Sequence, residues 1–450
     1  MQDVVVATIV AKNYLSFARV LAHSFRLRHP HIPFFVLLAD EVDGYFNPEA
    51  EPFQLLRLCD LKIPDLPRFR FHYSQQELTY AATPYLLSYL LDNGFTRAAF
   101  LKQESLVVGD LTPILALLAD NPIVLTPHLL EPLSGAGVIE RELNILQSGV
   151  YNVGFLGVSE SPTARDFLDW WCERLYDHCR RDVPQGMHFE QRWLDLVPAF
   201  FEAVHVIRDP GFNVGHWNLP EREVSFRHGE AFMPDGQPCR FFRFSGFDPE
   251  RPHHITRYAR RLNMNDIGET AELFRRYVAL LEAAGYQETK AWPYAYERFD
   301  NGAQVTDRAR RIYRELGDEV EKFGDPLADA PAHSFYHWMI DNAGEHPGVR
   351  RGAVARLRRA VRGQRGDHSN NNRSDRKRVA FTPPHAPAES VRQATARRSY
   401  PLSTGNDATS SQAQATGGEM EGVAVATIVA KNYLSFARVL AESFRQRHPA

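Results

Sequence analysis

Long apolar runs, paired cysteines and net charge are all scarce in this 450-residue chain. No stretch of about 18 consecutive apolar residues occurs, so no membrane-spanning helix is expected. The first residues enter a β-branched run at once, with no basic segment or cleavage site ahead of it, and a cytoplasmic protein is the expectation. The four cysteines, Cys59, Cys172, Cys179 and Cys239, form no Cys-x-x-Cys pair. Reduced structural thiols are expected rather than a zinc site, although the spacing of Cys172 and Cys179 suits one helix face. The net charge of −3 conceals an asymmetry: Arg350 to Arg398 holds 14 Lys and Arg against three acids, a surplus of 11, so the remaining residues carry −14. The body is acidic and one segment is basic. That segment lacks interleaved aromatics and a recognisable binding fold, which argues against a nucleic-acid role for its arginines.

What the chain does contain is a duplication. Val4 to Pro30 and Val423 to Pro449 differ at three aligned pairs only, Val5/Ala424, His23/Glu442 and Leu27/Gln446. The chain therefore reads as one complete module followed by the opening of a second copy. Val4–Val10 is nearly all β-branched or apolar, as a strand covered on both faces requires, and apolar residues at 17, 20, 21 and 25 form a helical stripe. Strand, loop and helix follow, and the loop residues Lys12, Asn13 and Tyr14 have no evident packing need. They sit at the carboxyl end of a central strand, where open α/β sheets bind ligands.

Further strands are predicted at 34–38, 54–58, 98–101, 123–126, 150–158, 204–207 and 240–244, with helices near 77–93 and 161–180. The alternation implies an α/β fold with a mixed, mostly parallel sheet. With 44% hydrophobic and 12% aromatic residues, the chain has ample material for a sizeable core. Beyond residue 258 a helical extension to about 345 is expected, its first helix capped by Thr270, striped by Leu273, Phe274, Tyr277, Leu280 and Leu281, and ended by Gly285. We expect this part to be a lid or buttress. Residues 346–421 read as a basic, Pro/Ser/Asn-rich linker, disordered from roughly 363, and 422–450 as the truncated repeat.

Four segments carry polar residues without an architectural need: Lys102-Gln103-Glu104 at the end of an apolar strand, Tyr151-Asn152-Val153-Gly154 with a glycine inside a strand, His188 to Trp193, and Gly211 to Asn218 taken with Phe242 to Gly246. In order and spacing these segments resemble a bacterial glycosyltransferase of the GT-A fold, akin to glycosyltransferase family 8. The resemblance covers about residues 4–250 and extends through the helices to about 340. It implies that Asn13 and Tyr14 hold a nucleotide's base and ribose. It places the family's Asp-x-Asp metal and diphosphate motif on Lys102-Gln103-Glu104, its sugar-facing Asn-x-Gly element on Asn152 and Gly154, its Asp-Gln pair on Glu190 and Gln191, and its late metal-ligating histidine on Arg243. Asn213 and Trp217 are expected at the sugar or acceptor, Trp217 as a stacking platform; Trp170, Trp171 and Trp193 are expected mostly in the core.

Two expected metal ligands are thus cations in this chain. A lysine or arginine cannot ligate Mn²⁺ or Mg²⁺, so no metal is expected, and Lys102 and Arg243 are expected to neutralise a departing diphosphate directly, Arg243 through a fork suited to phosphate oxygens. The implied activity is transfer of a hexose or pentose from a UDP- or GDP-sugar to an unidentified glycan, lipid or protein acceptor. Gln191, Glu190 and Asn152 are the expected catalytic residues, with Glu190 as base or nucleophile. The alternative for Glu190 is a carboxylate favoured by the dipole at a helix start. The alternative for the whole chain is a degenerate domain that binds a nucleotide sugar, or acts as a scaffold, without turnover. His188, His216, His253 and His254 lack ligand-like spacing and are expected at the surface or in packing.

Overall fold

In the computed structural model, which describes residues 3–135, 137–219, 221–259, 262–330, 333–342, 426–428 and 434–447, the run Val4–Val10 forms strand β1, an interior strand of a seven-stranded sheet. The other strands in chain order are β2 (Phe34–Leu38), β3 (Gln54–Arg57), β4 (Arg97–Leu101), β5 (Ser105–Val107), β6 (Ile123–Pro127), β7 (Tyr151–Ser159), β8 (Arg181–Asp182), β9 (Met187–His188), β10 (Val204–Val206), β11 (Val214–Gly215), β12 (Ser225–Arg227), β13 (Glu230–Phe232) and β14 (Phe241–Arg243). The large sheet runs β3-β2-β1-β4-β7-β6-β10, and β7 alone is antiparallel to its neighbours. This is the mixed, mostly parallel α/β architecture expected from the sequence.

The period of two in β1 divides its side chains between two cores. Val5, Ala7 and Ile9 join one cluster with the helices on that face, while Val6 and Val10 join the opposite cluster with Leu15, Ala18, Leu21 and Phe25 of the helix Leu15–Arg28. Each such fully buried aliphatic side chain contributes about 1.5–3 kcal/mol, which explains why an apolar strand needs covers on both faces. Ser74 starts the helix Gln75–Ala81 with a reciprocal cap to Glu77, and a second helix, Thr83–Asp92, follows after one residue, so the single helix expected near 77–93 is a broken pair.

A smaller sheet, β11-β14-β5, stands beside the carboxyl end of β4 and supports the third core cluster with the helix Ala271–Ala283. Leu273, Phe274, Tyr277 and Leu281 are buried there as the stripe predicted. Thr270 precedes the helix but does not cap it; its hydroxyl is held by the backbone of Val224 instead. The expected buttress is part of the main core: Tyr296, Phe299, Ile312, Tyr313 and Phe335 belong to the same cluster as β1, and Arg310 donates to the carbonyl of Tyr296 at 2.7 Å.

The chain divides into two compact units, Met1–Ser369 and Asn370–Ala450. In the second, the helix Leu434–Arg447 repeats the bounds of Leu15–Arg28 in the second copy. The expectation of disorder for the linker lies outside the described residues. Cys179 falls beyond the end of the helix Pro162–Asp177, so Cys172 and Cys179 do not share a helix face.

Candidate active site

The segment Lys102-Gln103-Glu104 joins β4 to β5, and the chain on either side holds it in place. The Lys102 amide donates to the Gly154 carbonyl of β7 at 3.0 Å, and the Glu104 carbonyl accepts from the amide of Phe244 at 2.8 Å. The polar turn predicted at a strand end is therefore wedged between the large sheet and the small one. Two adjoining cavities open here, an outer one of about 890 Å³ and an inner one of about 550 Å³, and Arg257 and Ala259 line both.

The outer cavity brings together Asn13, Tyr14 and Glu104 with Phe17, Phe247 and Tyr286. The Asn13 amide is matched to that of Gln75, with Nε2 of Gln75 donating at 2.5 Å. Tyr14 packs on Phe17 at 5.1 Å between ring centres, and burial raises its phenol pKa. The wall thus sets aromatic rings among more numerous polar and charged groups, Glu104, Asp248, Arg251, Arg257 and Lys290 included, surfaces on which a planar heterocycle can both stack and hydrogen-bond. Lys12, expected free in this loop, is fully buried instead. Its ammonium lies 3.2 Å from Asp40 and 2.7 Å from Asp43, and Asp40 also accepts from the amides of Lys12, Glu41 and Ala295. Lys12 therefore fastens the loop to the chain behind it and does not face the cavity.

The inner cavity holds the remaining chemistry. Lys102 is buried with its ammonium 2.6 Å from the Glu190 carboxylate and 3.1 Å from the centre of the Tyr80 ring. Burial lowers the Lys102 pKa, Glu190 opposes that shift, and Arg243 adds to it. Arg243, at the end of β14, is buried too but has no carboxylate within 4.0 Å among the described residues. Its Nη1 donates to Asn152 Oδ1 at 2.9 Å and its Nε has no acceptor. Burial lowers its pKa, while Glu104 is the strongest opposing influence. Glu104 in turn is pushed up by burial and drawn down chiefly by Arg243 and Arg257.

Asn152 is the hub of a directed network. Its Oδ1 accepts from Arg243 and from the Gly154 amide at 2.7 Å, and its Nδ2 lies 2.8 Å from His128 Nε2. That geometry makes His128 Nε2 an acceptor, with the proton on Nδ1 facing the Val150 carbonyl at 3.3 Å. A neutral imidazole fits its burial, which brings its pKa down to about 4. Gly154 lets this network close: a Cβ there would come within 2.5 Å of both Asn152 Oδ1 and Asn213 Oδ1 and would run into the Arg243 guanidinium.

The structure thus sorts the expected residues. Asn13, Tyr14 and Glu104 share the outer cavity; Lys102, Asn152, Glu190, Gln191, Trp217 and Arg243 share the inner one. The Gln191 amide donates to the Ser148 carbonyl at 2.7 Å, which leaves the side-chain oxygen as its acceptor. Three expectations change. Lys102 does not stand free as a phosphate counter-charge, because Glu190 neutralises it. Asn213 is fully buried at positive φ, lines neither cavity, and donates to the Pro127 carbonyl, so it supports the floor rather than touching a sugar. Gly154 makes room for Arg243 and lines neither cavity. Sequence reasoning missed His128, Tyr80, Arg257 and Tyr258, and it assigned to the surface or to packing His188 and His216, which line the inner cavity, and His254, which lines the outer one. No pattern in the sequence marks His128; only the fold of β6 against β7 brings it to Asn152.

Among the described residues no group of three or more His, Cys, Asp and Glu side chains is arranged to hold a metal ion, and no helix is long and apolar enough to cross a membrane. No family model matches the chain. It is 26% identical over 292 residues to the uncharacterized protein YfnF of Bacillus subtilis (strain 168), spanning 63% of this chain and 90% of that one, and 22% identical over 250 residues to YfnD of the same organism, spanning 54% and 77%. Solved structures similar to it are glycosyltransferases. They include a galactosyltransferase LgtC in complex with donor and acceptor sugar analogs (19% identity, TM-score 0.37, 62% of this chain and 95% of that one) and GlyE of Streptococcus pneumoniae TIGR4 (14% identity, TM-score 0.37, 66% of each).

Proposed function

We propose that the protein transfers a hexosyl or pentosyl group from a UDP- or GDP-sugar to an acceptor hydroxyl, and that it does so without a metal. The observation that supports this most is Arg243, a buried guanidinium on the wall of the inner cavity with no carboxylate within 4.0 Å among the described residues. A buried cation left unpaired costs several kcal/mol, and an anionic ligand offsets that cost. In this reading the base and ribose lie on Asn13 and Tyr14, and the diphosphate lies at Arg243 and Arg257. The transferred sugar occupies the inner cavity beside Gln191, Glu190 and Trp217.

The positions that the family resemblance assigns to a divalent metal hold Lys102, Glu104 and Arg243, one carboxylate and two cations. Mg²⁺ or Mn²⁺ takes about six oxygen ligands, so these residues do not fit one, and no step is routed through it. The chemistry follows from charge. The bond from the anomeric carbon to the phosphate oxygen breaks with its electron pair going to the diphosphate, where Arg243 and Arg257 stabilise it. The ring carbon becomes cationic, faced by the Gln191 side-chain oxygen and the Glu190 carboxylate. An acceptor oxygen then bonds to that carbon and its proton passes to Glu190 or to water. Lys102, revised from a phosphate ligand, holds Glu190 in place, and Asn152 with His128 orients Arg243.

Incubating the protein with a panel of UDP- and GDP-sugars and measuring release of the nucleotide diphosphate tests the reading. Release with at least one donor is expected. Binding of UDP or GDP with no release from any donor would favour a degenerate nucleotide-sugar-binding domain, and no nucleotide binding at all would contradict the transfer reading and favour a scaffold.

A further inference from the structure

The wall of the inner cavity is cationic although the chain as a whole is anionic. Lys102, Arg141, Arg181, Arg243 and Arg257 line it against one carboxylate, Glu190, in a protein of net charge −3. Two of the five cations are already neutralised, Lys102 by Glu190 and Arg141 by Glu221. The diphosphate proposed above accounts for Arg243 and for Arg257, the latter shared with the outer cavity. Arg181 remains.

Arg181 lies in the hairpin of β8 and β9, directly across from His188, which lines the same cavity. Its neighbour Arg180 is paired with Asp182 at 3.8 Å, but Arg181 itself has no carboxylate within 4.0 Å among the described residues. The surplus extends to hydrogen bonding. Three buried N–H groups without an acceptor, Arg141 Nε, Arg243 Nε and Trp217 Nε1, all belong to residues that line this cavity. A wall with unspent donors, a single carboxylate already paired with Lys102, and a guanidinium without a carboxylate partner selects a ligand rich in anionic oxygen. Trp217 adds an aromatic surface for the apolar face of a sugar ring.

We propose that the inner cavity takes an acidic saccharide, one carrying a carboxylate or a phosphate, as the acceptor, with its anionic group at Arg181 and His188. The inference rests on the transfer reaction proposed above for the word acceptor only; the charge of the cavity stands without it.

The test uses the full chain saturated with UDP, titrated calorimetrically at matched ionic strength with methyl β-glucuronide, glucose 6-phosphate and methyl β-glucoside in separate arms. At least one anionic sugar should bind about tenfold more tightly than the neutral one, the size of one charge-assisted contact. The two anionic arms distinguish a carboxylate from a phosphate. Arg181→Ala should bring that preference to within about threefold, and Arg181→Gln, which keeps donors without the charge, should fall between. Because Arg181 is exposed on a hairpin, its replacement should leave the fold intact, which circular dichroism reports. Equal or tighter binding of the neutral glucoside, no binding in any arm, or a preference untouched by Arg181→Ala would overturn the proposal. UDP binding is read in the same experiment. Selective binding of an acidic sugar by a protein that does not bind UDP would retain the cavity's specificity and refute the nucleotide reading, so the two failures are separable.

Discussion

Tyr14 and Lys102 show what a single residue decides here. Tyr14 faces the outer cavity and is backed by Phe17, so Tyr14→Ala should weaken UDP or GDP binding by about 1–3 kcal/mol, the range for lost base stacking, with little change in unfolding free energy. Calorimetry on the folded variant checks this, and an unchanged affinity would remove Tyr14 from the site. Lys102 is a different case because its partner is as buried as it is. Lys102→Ala leaves the Glu190 carboxylate buried and unpaired, a loss of about 3–5 kcal/mol, whereas Lys102→Met combined with Glu190→Gln should recover most of that stability while abolishing transfer. Urea unfolding of both variants decides the point: a Lys102→Ala protein as stable as the parent would show the pair to be solvated. The sequence placed both residues in the site, since a polar turn after an apolar strand is legible from pattern alone. It did not disclose that Lys102 is spent on Glu190, because a contact across 88 residues depends on how the segment after β9 folds back.

At the scale of elements, the strands and the first helix followed from composition and period, and the site followed where it lay at strand ends. What did not follow were contacts between elements. The predicted buttress merges with the main core through Tyr296, Ile312 and Phe335, and the join of β6 to β7 sets His128 against Asn152. That join has a pH consequence. The folded chain holds His128 neutral with a pKa of about 4, below its ordinary 6.5. Between those values the unfolded chain binds the extra proton and the folded one does not. The stability contribution is therefore complete above about pH 6.5 and is lost as pH falls toward 4, by an amount on the order of 3 kcal/mol. Protonated His128 would also present an N–H to the Asn152 amide and disturb the group that orients Arg243. Urea unfolding at pH 7 and pH 4.5 should show this loss, and His128→Gln should reduce the pH dependence; an equal slope in the variant would exclude His128 as its source.

For the whole molecule, the duplication and the charge swap are the features that set expectations. The described core and both cavities belong to the unit Met1–Ser369. Ending the chain after Ser369 should therefore preserve the cooperative unfolding transition and nucleotide affinity, and loss of either would show that the repeat contributes to them. Two of the three positions that differ between the copies, His23 and Leu27, are exposed in the first copy and only Val5 is buried, but the copies do not pack alike: Phe17, Val20, Leu21 and Phe25 are buried, whereas their counterparts Phe436, Val439, Leu440 and Phe444 are exposed. The central claim concerns the cations where a metal's ligands are expected. Lys102 and Arg243 were legible in the sequence as departures from an acidic motif; that Arg243 alone remains free to meet an anion was legible only in the fold. The direct test is the affinity of the full protein for UDP and GDP, measured by calorimetry in excess EDTA and again after addition of Mn²⁺. The account predicts binding in EDTA that Mn²⁺ does not strengthen, and a loss of about 1.5–3 kcal/mol in Arg243→Gln. Binding that disappears in EDTA and returns with Mn²⁺ would contradict it.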